Sequence, residues 1–318
     1  MNEFEFIKNI KKKYSLDLVG DDCAVLPKDA STDLLISTDM LVEDIDFRLD
    51  WTTPELLGRK ALAVSLSDVA AMGGSPVWAL LSIGIPEALW SGRFLDRFYD
   101  GWHELANRHG VKLVGGDISR TPNKLVIDST VGGSVPTGAA VLRSGARAGD
   151  SIYVTGPLGG AAAGLRLLNE GLRFDQSASD PRMNLLAKQL TPTARVELGP
   201  RLGDSKAVTS MIDLSDGISS DLAHICRASN VGAVISVNDI PFEGEVMSIA
   251  GSVDAMLDFA LNGGEDFELL FTGPQEKLSL LNFDDIFRIG EITETVGVVE
   301  LERDSKREVL PPGGYRHF

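Results

Sequence analysis

Cysteine and histidine are scarce in this chain. Its 318 residues include two cysteines, Cys23 and Cys226, and four histidines. Two cysteines are too few for a thiolate metal site and make a disulfide scaffold implausible, and the histidines show no metal-ligand spacing. Cys23 is expected to be a small buried side chain. Any metal that this chain binds should therefore be a hard cation held by oxygen atoms.

Long apolar runs and basic residues are also in short supply. No apolar run approaches the roughly 20 residues that cross a bilayer, and residues 1–6 lack the basic region and apolar core of a signal peptide. We therefore expect a cytoplasmic protein that does not enter a membrane. Lysine and arginine number 30 against 46 aspartates and glutamates, which gives a formal net charge of −16. This charge opposes binding to nucleic acid, and a phosphate ligand would need divalent cations as a bridge.

The length and composition predict two globular domains. Hydrophobic residues make up 43% and charged residues 24% of the chain, as in ordinary globular proteins. A chain of 318 residues exceeds one typical core and suggests two domains. From residue 136 to residue 150 the composition shifts to glycine, alanine and arginine. We therefore place an N-terminal domain at 1–137, a linker at 138–150 and a C-terminal domain at 151–318.

One acidic residue lies in an otherwise uncharged stretch. Residues 61–72 contain Asp68 among uncharged, mostly apolar residues. Thr53 can cap a helix that runs to the Gly-Gly pair after this stretch, and at helical spacing Asp68 shares a face with core residues. A carboxylate there is costly unless it is paired, hydrogen-bonded or bound to a metal. A salt bridge to Arg59, Lys60 or a distant residue would explain it as well as a metal would.

Further acidic residues recur at predicted turns and strand ends. They follow or flank short apolar runs, often beside glycine: Asp22, Asp39, Asp117, Asp213, Asp216 and Glu265. Each one alone is better explained as an ordinary turn residue. Taken together, with hydroxyls nearby and no clustered thiolates or imidazoles, they match the oxygen ligands that Mg²⁺ prefers. Two or more such ions would neutralise a triphosphate during phosphoryl transfer.

The chain shows no residue set for covalent nucleophilic catalysis. The G-x-S-x-G motif, the P-loop and the Rossmann fingerprint are all absent. The glycine-rich stretch 156–164 precedes a helix and could cradle a phosphate, but close packing of strand and helix explains it about as well. If the acceptor is an already ionised phosphate, positioning and metal charge suffice without a general base.

In order and spacing, these motifs resemble the thiamine-monophosphate kinase family, within the wider group of ATP-using enzymes related to aminoimidazole ribonucleotide synthetase. The motifs span nearly the whole chain: Gly20-Asp-Asp-Cys23, Ser37-Thr-Asp39, Lys60 to Gly73, Gly115-Gly-Asp117, Arg143-Ser-Gly145, Ile212 to Gly217, Gly263-Gly-Glu-Asp266 and Gly314-Tyr-Arg-His-Phe318. The resemblance implies a two-domain α/β (α+β) fold in which each domain is a mixed sheet with helices packed on it. It also implies a homodimer built through the N-terminal domains, and transfer of the γ-phosphate of ATP to thiamine monophosphate with several Mg²⁺ ions.

The resemblance further implies roles for individual residues. Those that look like magnesium ligands are Asp22, Ser37, Thr38, Asp39, Asp68, Asp117, Asp213 and Asp216. Those that look like ATP contacts are Gly116, Asp117, Arg143 and Ser215. Glu265 and Tyr315 look like contacts to the thiamine substrate, and Asp46 lies at a position of the same site. No side chain is implied as a covalent catalyst, so the transfer would be direct and in line.

Asp46 departs from the family pattern, which usually has a histidine before the phenylalanine that is Phe47 here. A carboxylate near the acceptor phosphate repels it unless a metal or a basic side chain intervenes. Two alternatives therefore stay open: a sister ATP-dependent synthetase of the same superfamily, and a non-catalytic protein that binds a nucleotide or thiamine phosphate. Selenophosphate synthetase, one such sister, expects a reactive cysteine in a mobile glycine-rich segment, which Cys23 fits poorly.

Overall fold

The computed structural model describes residues 3–281, 283 and 285–315. The strands are β1 (Ala24–Pro27), β2 (Thr32–Val42), β3 (Ser75–Pro86), β4 (Lys112–Thr121), β5 (Val126–Pro136), β6 (Ser151–Val154), β7 (Ser210–Asp213), β8 (Gly232–Ser236), β9 (Leu269–Gly273), β10 (Phe287–Thr293), β11 (Val299–Arg303) and β12 (Lys306–Val309). The helices are α1 (Glu3–Tyr14), α2 (Pro54–Ala71), α3 (Glu87–Trp90), α4 (Phe94–Arg108), α5 (Gly160–Asn169), α6 (Arg182–Leu190), α7 (Leu198–Asp204), α8 (Ile218–Ser229), α9 (Val246–Ala250), α10 (Val253–Asn262) and α11 (Gln275–Leu278). Across these described ranges, no helix combines the length and the apolar character that crossing a membrane requires.

Five strands form the first sheet, in the order β1-β2-β5-β3-β4. Neighbouring strands are antiparallel except β3 and β4, which are parallel. Helices α2 and α4 pack on one face and enclose a core that includes Leu35, Leu66 and Trp102. The opposite face is open, and Met40 and Leu80 on it are 59% and 37% exposed.

Seven strands form the second sheet, in the order β12-β11-β8-β10-β6-β9-β7. Strand β11 runs parallel to β8, and the other pairs are antiparallel. Helices α8 and α10 pack in one core with this sheet, through residues such as Leu222 and Leu257. Helices α5 and α6 pack on each other around Leu167 and Leu185. The expected pair of mixed sheets, each with helices packed on it, is confirmed.

Helix α2 lies between the two sheets. Thr53 Oγ1 accepts a hydrogen bond from the backbone N–H of Leu56 at 3.4 Å, Pro54 opens the first turn, and the chain turns away at Gly73 with φ of +70°. The helix contacts β2, β3 and β5 of the first sheet and β7 of the second. Because it is enclosed on several sides, 13 of its 18 residues are buried. Helical spacing predicted a single apolar stripe, and more of the helix is therefore buried than the sequence indicated.

Helices α2 and α4 approach each other closely at two glycines. A Cβ atom on Gly58 would lie 2.0 Å from the carbonyl oxygen of Phe98, and one on Gly101 would lie 2.0 Å from that of Glu55. Only residues without a side chain allow this approach of two backbones. The crossing holds α2 in a fixed place against the first sheet, and with it the side chains that α2 presents to the region between the sheets.

Candidate active site

Four acidic side chains meet between the two sheets. Carboxylate oxygens of Asp22, Asp68 and Asp213 lie within 4.8 Å of one another. Asp22 precedes β1, Asp68 lies near the end of α2, and Asp213 ends β7. Asp39 of β2 belongs to the same group, because its charge acts directly on the Asp68 carboxyl. We call Asp22, Asp39, Asp68 and Asp213 the acid cluster.

Burial makes ionisation of the acid cluster unfavourable. In all four residues, burial is the largest influence, and it raises the pKa above the ordinary aspartate value. The pKa of Asp213 rises to about 7. In Asp68 the charges of Asp39, Asp213 and Asp22 raise the pKa further. Four carboxylates in such a setting do not all ionise without a counter-charge.

The acid cluster offers the oxygen atoms that a divalent cation needs. Among the described residues, the Oδ2 atoms of Asp22, Asp39 and Asp213 are buried without a hydrogen-bond partner. Buried acceptors are normally satisfied, and Mg²⁺ takes carboxylate and hydroxyl oxygens. The adjacent Cys23 thiol stays protonated, because burial and then the nearby carboxylates raise its pKa. The donor set therefore fits Mg²⁺ and does not fit a thiolate-bound metal.

Ser37 and Arg143 supply hydrogen bonds to the acid cluster. The Ser37 hydroxyl donates to Oδ2 of Asp68. Arg143 Nε donates to Oδ1 of Asp22 at 3.2 Å, and its backbone N–H donates to Oδ1 of Asp21 at 2.6 Å. The side chain of Arg143 thus joins the region between the two sheets to the loop before β1. One guanidinium is too little positive charge for four carboxylates.

The two basic residues nearest to Asp68 in sequence have other partners. Arg59 pairs with Glu104 at 3.2 Å, and Lys60 pairs with Glu265 at 2.7 Å. The salt bridge with a neighbour on α2, which the sequence left open for Asp68, is therefore not formed. Asp68 instead accepts a hydrogen bond from Ser37, and its role as a metal ligand stays a prediction.

Two expected ligands lie away from the acid cluster. Successive side chains of a strand point to opposite faces, so Thr38 is on the open face of the first sheet while Asp39 is on the buried one. Thr38 Oγ1 donates to Oδ2 of Asp128 at 3.3 Å on that open face. Asp117 shares the face, because it is in register with Ser82, which is in register with Asp128. A single chain brings neither the Thr38 hydroxyl nor Asp117 to the acid cluster, and their ligand roles stay predictions.

Ser215 and Asp216 lie in the turn between β7 and α8, directly after Asp213. The backbone N–H groups of Asp216 and Gly217 donate to Oδ2 of Asp221 at 3.1 and 3.0 Å. Asp221 is buried, and burial followed by the charges of Asp216 and Asp213 raises its pKa well above the ordinary value. Sequence reasoning missed Asp221, although an acid in the first turn of an apolar helix was visible there. Its carboxylate shapes the turn that presents Asp216.

A second group of site residues lies at the other end of this region. Burial raises the pKa of Tyr315, and the charges of the Asp46 and Glu265 carboxylates raise it further. Asp46 accepts a hydrogen bond from the backbone N–H of Val42 at 2.8 Å, and Lys60 lines the same small cavity as Asp46. The structure thus brings together the three residues expected at the acceptor. The last three residues of the tail motif, 316–318, lie outside the described residues.

The glycine-rich stretch before α5 is occupied by the chain itself. The Asp266 carboxylate accepts hydrogen bonds from the backbone N–H groups of Gly159 and Ala161 at 2.7 and 3.1 Å. Burial raises the pKa of Asp266 to about 7 despite these bonds. The backbone donors that could have bound a phosphate already have a carboxylate partner, which favours the packing explanation for these glycines.

The chain belongs to the AIR synthase related proteins, whose two domains match its two halves. The family model for the N-terminal domain of AIR synthase related proteins matches residues 20–135. The model for the C-terminal domain of the same proteins matches residues 147–302. Together these matches cover most of the chain and all of the acid cluster.

Within this class, the chain belongs to the thiamine-monophosphate kinase family, whose members are phosphotransferases. It is 39% identical to thiamine-monophosphate kinase of Escherichia coli (strain K12) over 307 residues, which cover 94% of this chain and 91% of that protein. It is 35% identical to the enzyme of Bacillus subtilis (strain 168) over 330 residues, with both chains fully covered. A solved structure of AaThiL complexed with AMPPCP and TMP aligns with a TM-score of 0.88 and 34% identity, covering 100% of this chain and 97% of that one.

Proposed function

We propose that this chain transfers the γ-phosphate of ATP to thiamine monophosphate, in a Mg²⁺-dependent reaction that gives thiamine diphosphate and ADP. The acid cluster is the observation that carries the proposal. Its carboxylates are buried or half-buried, close together and only partly hydrogen-bonded. In a chain with a net charge of −16, a triphosphate approaches such carboxylates only together with cations. The relatives supply the identity of the acceptor, because they are thiamine-monophosphate kinases.

Each site residue has a proposed role. The proposed magnesium ligands are the acid cluster together with Ser37, Thr38, Asp117 and Asp216. The proposed ATP contacts are Gly116, Asp117, Arg143 and Ser215. The proposed acceptor contacts are Asp46, Glu265 and Tyr315. Among the proposed magnesium ligands, Ser37 and the acid cluster are supported by their geometry. Thr38, Asp117 and Asp216 are supported by the resemblance of their motifs.

The proposed transfer needs no nucleophilic side chain. An oxygen of the acceptor phosphate forms a bond to the γ-phosphorus of ATP, the bond from that phosphorus to the β,γ-bridging oxygen breaks, and ADP leaves with the electron pair. The acceptor phosphate is ionised at neutral pH, so no general base is required. Arg143, which binds Asp22, is the proposed contact to a phosphate of the nucleotide. When bound in the acid cluster, Mg²⁺ would neutralise the phosphate charge that builds up during transfer.

We also propose that the chain works as a homodimer in the cytoplasm, the compartment that supplies ATP. The open face of the first sheet carries Met40 and Leu80 in exposed positions, with Trp78 over Gly132 beside them. Large exposed apolar patches on such faces are typical of subunit interfaces. The proposed domain limits are 1–137 and 151–318, with the linker at 138–150 that contains Arg143.

A coupled assay of ADP release tests the proposed function. Purified protein with ATP and Mg²⁺ is offered thiamine, thiamine monophosphate and aminoimidazole precursors in separate reactions. Turnover with thiamine monophosphate alone supports the proposal, and turnover with an aminoimidazole precursor instead would favour a sister synthetase. Calorimetric binding of thiamine monophosphate without any ADP would favour the non-catalytic alternative.

A further inference from the structure

Lys60 is a buried cation that has no role in the proposed reaction described above. Its side chain is 4% exposed, and its Nζ lies 2.7 Å from Oε1 of Glu265. The same Nζ donates a hydrogen bond to the carbonyl oxygen of Gln189 at 3.2 Å. A lysine at this depth is costly unless its charge is paired. Here the pair joins α2, which packs on the first sheet, to the loop after α10 of the second.

Glu265 is held from three directions. Lys60 binds one carboxylate oxygen, and Gln189 Nε2 donates to the other. The backbone N–H of Glu265 donates to the carbonyl oxygen of Ser215 at 2.8 Å. Its φ of +58° lies in the left-handed region, which is strained for a residue with a side chain. Such conformations persist where the surroundings enforce them, and they cluster at functional sites.

Helix α2 carries both Lys60 and Asp68. Eight residues separate them, which corresponds to about 12 Å along a helix axis. The crossing of α2 and α4 at Gly58 and Gly101 makes this helix a rigid support. One end of it therefore reaches the acid cluster, and the other end reaches the group formed by Asp46, Glu265 and Tyr315.

We propose that Lys60 is a positioning residue that holds Glu265 in place for the acceptor and fixes its distance from the acid cluster. This inference rests on the proposed function, because Glu265 is an acceptor contact only if thiamine monophosphate is the acceptor. The ring of the acceptor is thereby held at a set distance from the phosphate that is to be transferred.

The test compares Lys60→Met with Arg59→Met. Arg59 is the neighbouring residue of α2, and it pairs with Glu104 instead of a residue of the site. Lys60→Met should raise the KM for thiamine monophosphate about tenfold or more, with less than about a twofold change in the KM for ATP, because loss of a positioned charged contact has this size. Arg59→Met should leave both KM values unchanged. The milder variant Lys60→Gln, which can still donate to the Gln189 carbonyl, is measured in parallel in case Lys60→Met does not fold.

A double-mutant cycle separates positioning from plain structural support. If Lys60 acts through Glu265, the variant Lys60→Met/Glu265→Gln should have the same KM for thiamine monophosphate as Glu265→Gln alone. Unchanged KM values in the Lys60 variants, or additive effects in the cycle, would overturn the inference. If the wild-type chain shows no turnover, the proposed function is wrong and KM values cannot test the role of Lys60. The pairing is then tested by the same cycle on urea unfolding midpoints, and additive midpoint shifts would overturn it.

Discussion

Ser37 of β2 donates a hydrogen bond to Asp68 of α2, so the two elements that meet in the core of the first sheet also meet in the site. The bond fixes one oxygen of Asp68 against the strand that carries Asp39. The rest of the acid cluster comes from the loop before β1 and from the end of β7. A group of carboxylates assembled in this way has little freedom to relax, which suits the preorganised phosphoryl transfer that we propose.

Replacement of Asp68 by asparagine should abolish turnover and leave the protein folded. The change removes a charge from the centre of the acid cluster, and a metal contact of this kind is worth several kcal/mol of transition-state stabilisation, or about a thousandfold in kcat. Without metal, the variant should be at least as stable as the wild type, because burial and the neighbouring carboxylates already disfavour a charge at Asp68. Asp100→Asn, at an exposed position on α4, is the control for kcat and for urea unfolding. Wild-type activity in Asp68→Asn would return Asp68 to a purely structural role.

The stability of the metal-free protein should fall as the pH rises. The pKa of Asp213 is raised to about 7 in the folded chain, from an ordinary value of 3.8. Between these values the folded state binds more protons than the unfolded state, so the free energy of unfolding decreases with rising pH. Mg²⁺ binds the ionised carboxylates, and its stabilising effect should therefore grow over the same range. Calorimetric Tm values with EDTA and with Mg²⁺, at about pH 5.5 and 7.5, measure both trends. An equal Mg²⁺ effect at the two pH values would contradict the account.

Gly116→Ala should destabilise the edge of the first sheet. Gly116 has a φ of +151°, and a Cβ atom there would lie 1.9 Å from the carbonyl oxygen of Leu81. The clash forces β3 and β4 apart, so we expect a loss of about 2 to 4 kcal/mol in the free energy of unfolding. Gly115→Ala is the matched control, because its nearest neighbour is the flexible end of Leu80 at 3.2 Å. Equal urea midpoints for the two variants would show that the close approach at Gly116 is unimportant.

The open face of the first sheet should be the dimer interface. Leu80→Lys and Met40→Lys place charges on this face, and they should convert the dimer into a monomer in light scattering after gel filtration. The control is Val309→Lys, because Val309 is also exposed but lies in β12 of the second sheet. A wild-type monomer would contradict the proposed dimer, and a dimer that tolerates both substitutions would place the interface elsewhere.

The motifs of the chain predicted the two-sheet fold, because many of them border or lie within a short apolar strand or a buried helix. Asp22 and Asp213 border strands as expected, but the prediction that Asp39 and Asp117 end their strands was wrong, because β2 and β4 continue beyond them. The sequence did not show which of these side chains would lie close together in the fold. Thr38 and Asp39 are adjacent in sequence, but they lie on opposite faces of β2, and only the pairing of strands shows which one reaches Asp68.

Long-range partners were beyond the reach of the sequence. Lys60 stood out only as a candidate partner for Asp68, eight residues along the same helix. Its actual partner, Glu265, lies in a loop of the second half of the chain. Asp266 could likewise be recognised as a turn acid, but its bonds to Gly159 and Ala161 depend on how a distant loop packs on α5. Such contacts are set by tertiary packing, which local patterns do not encode.

The most direct test of the account is a rapid-quench experiment with enzyme in excess over ATP labelled in the γ-phosphate. With thiamine monophosphate and Mg²⁺ present, the label should pass from ATP to thiamine diphosphate, with one ADP formed for each labelled product and no label on the protein at any time. With EDTA in place of Mg²⁺, no transfer should occur. Label that appears first on the protein, or that is released as inorganic phosphate without thiamine diphosphate, would contradict direct transfer at the acid cluster.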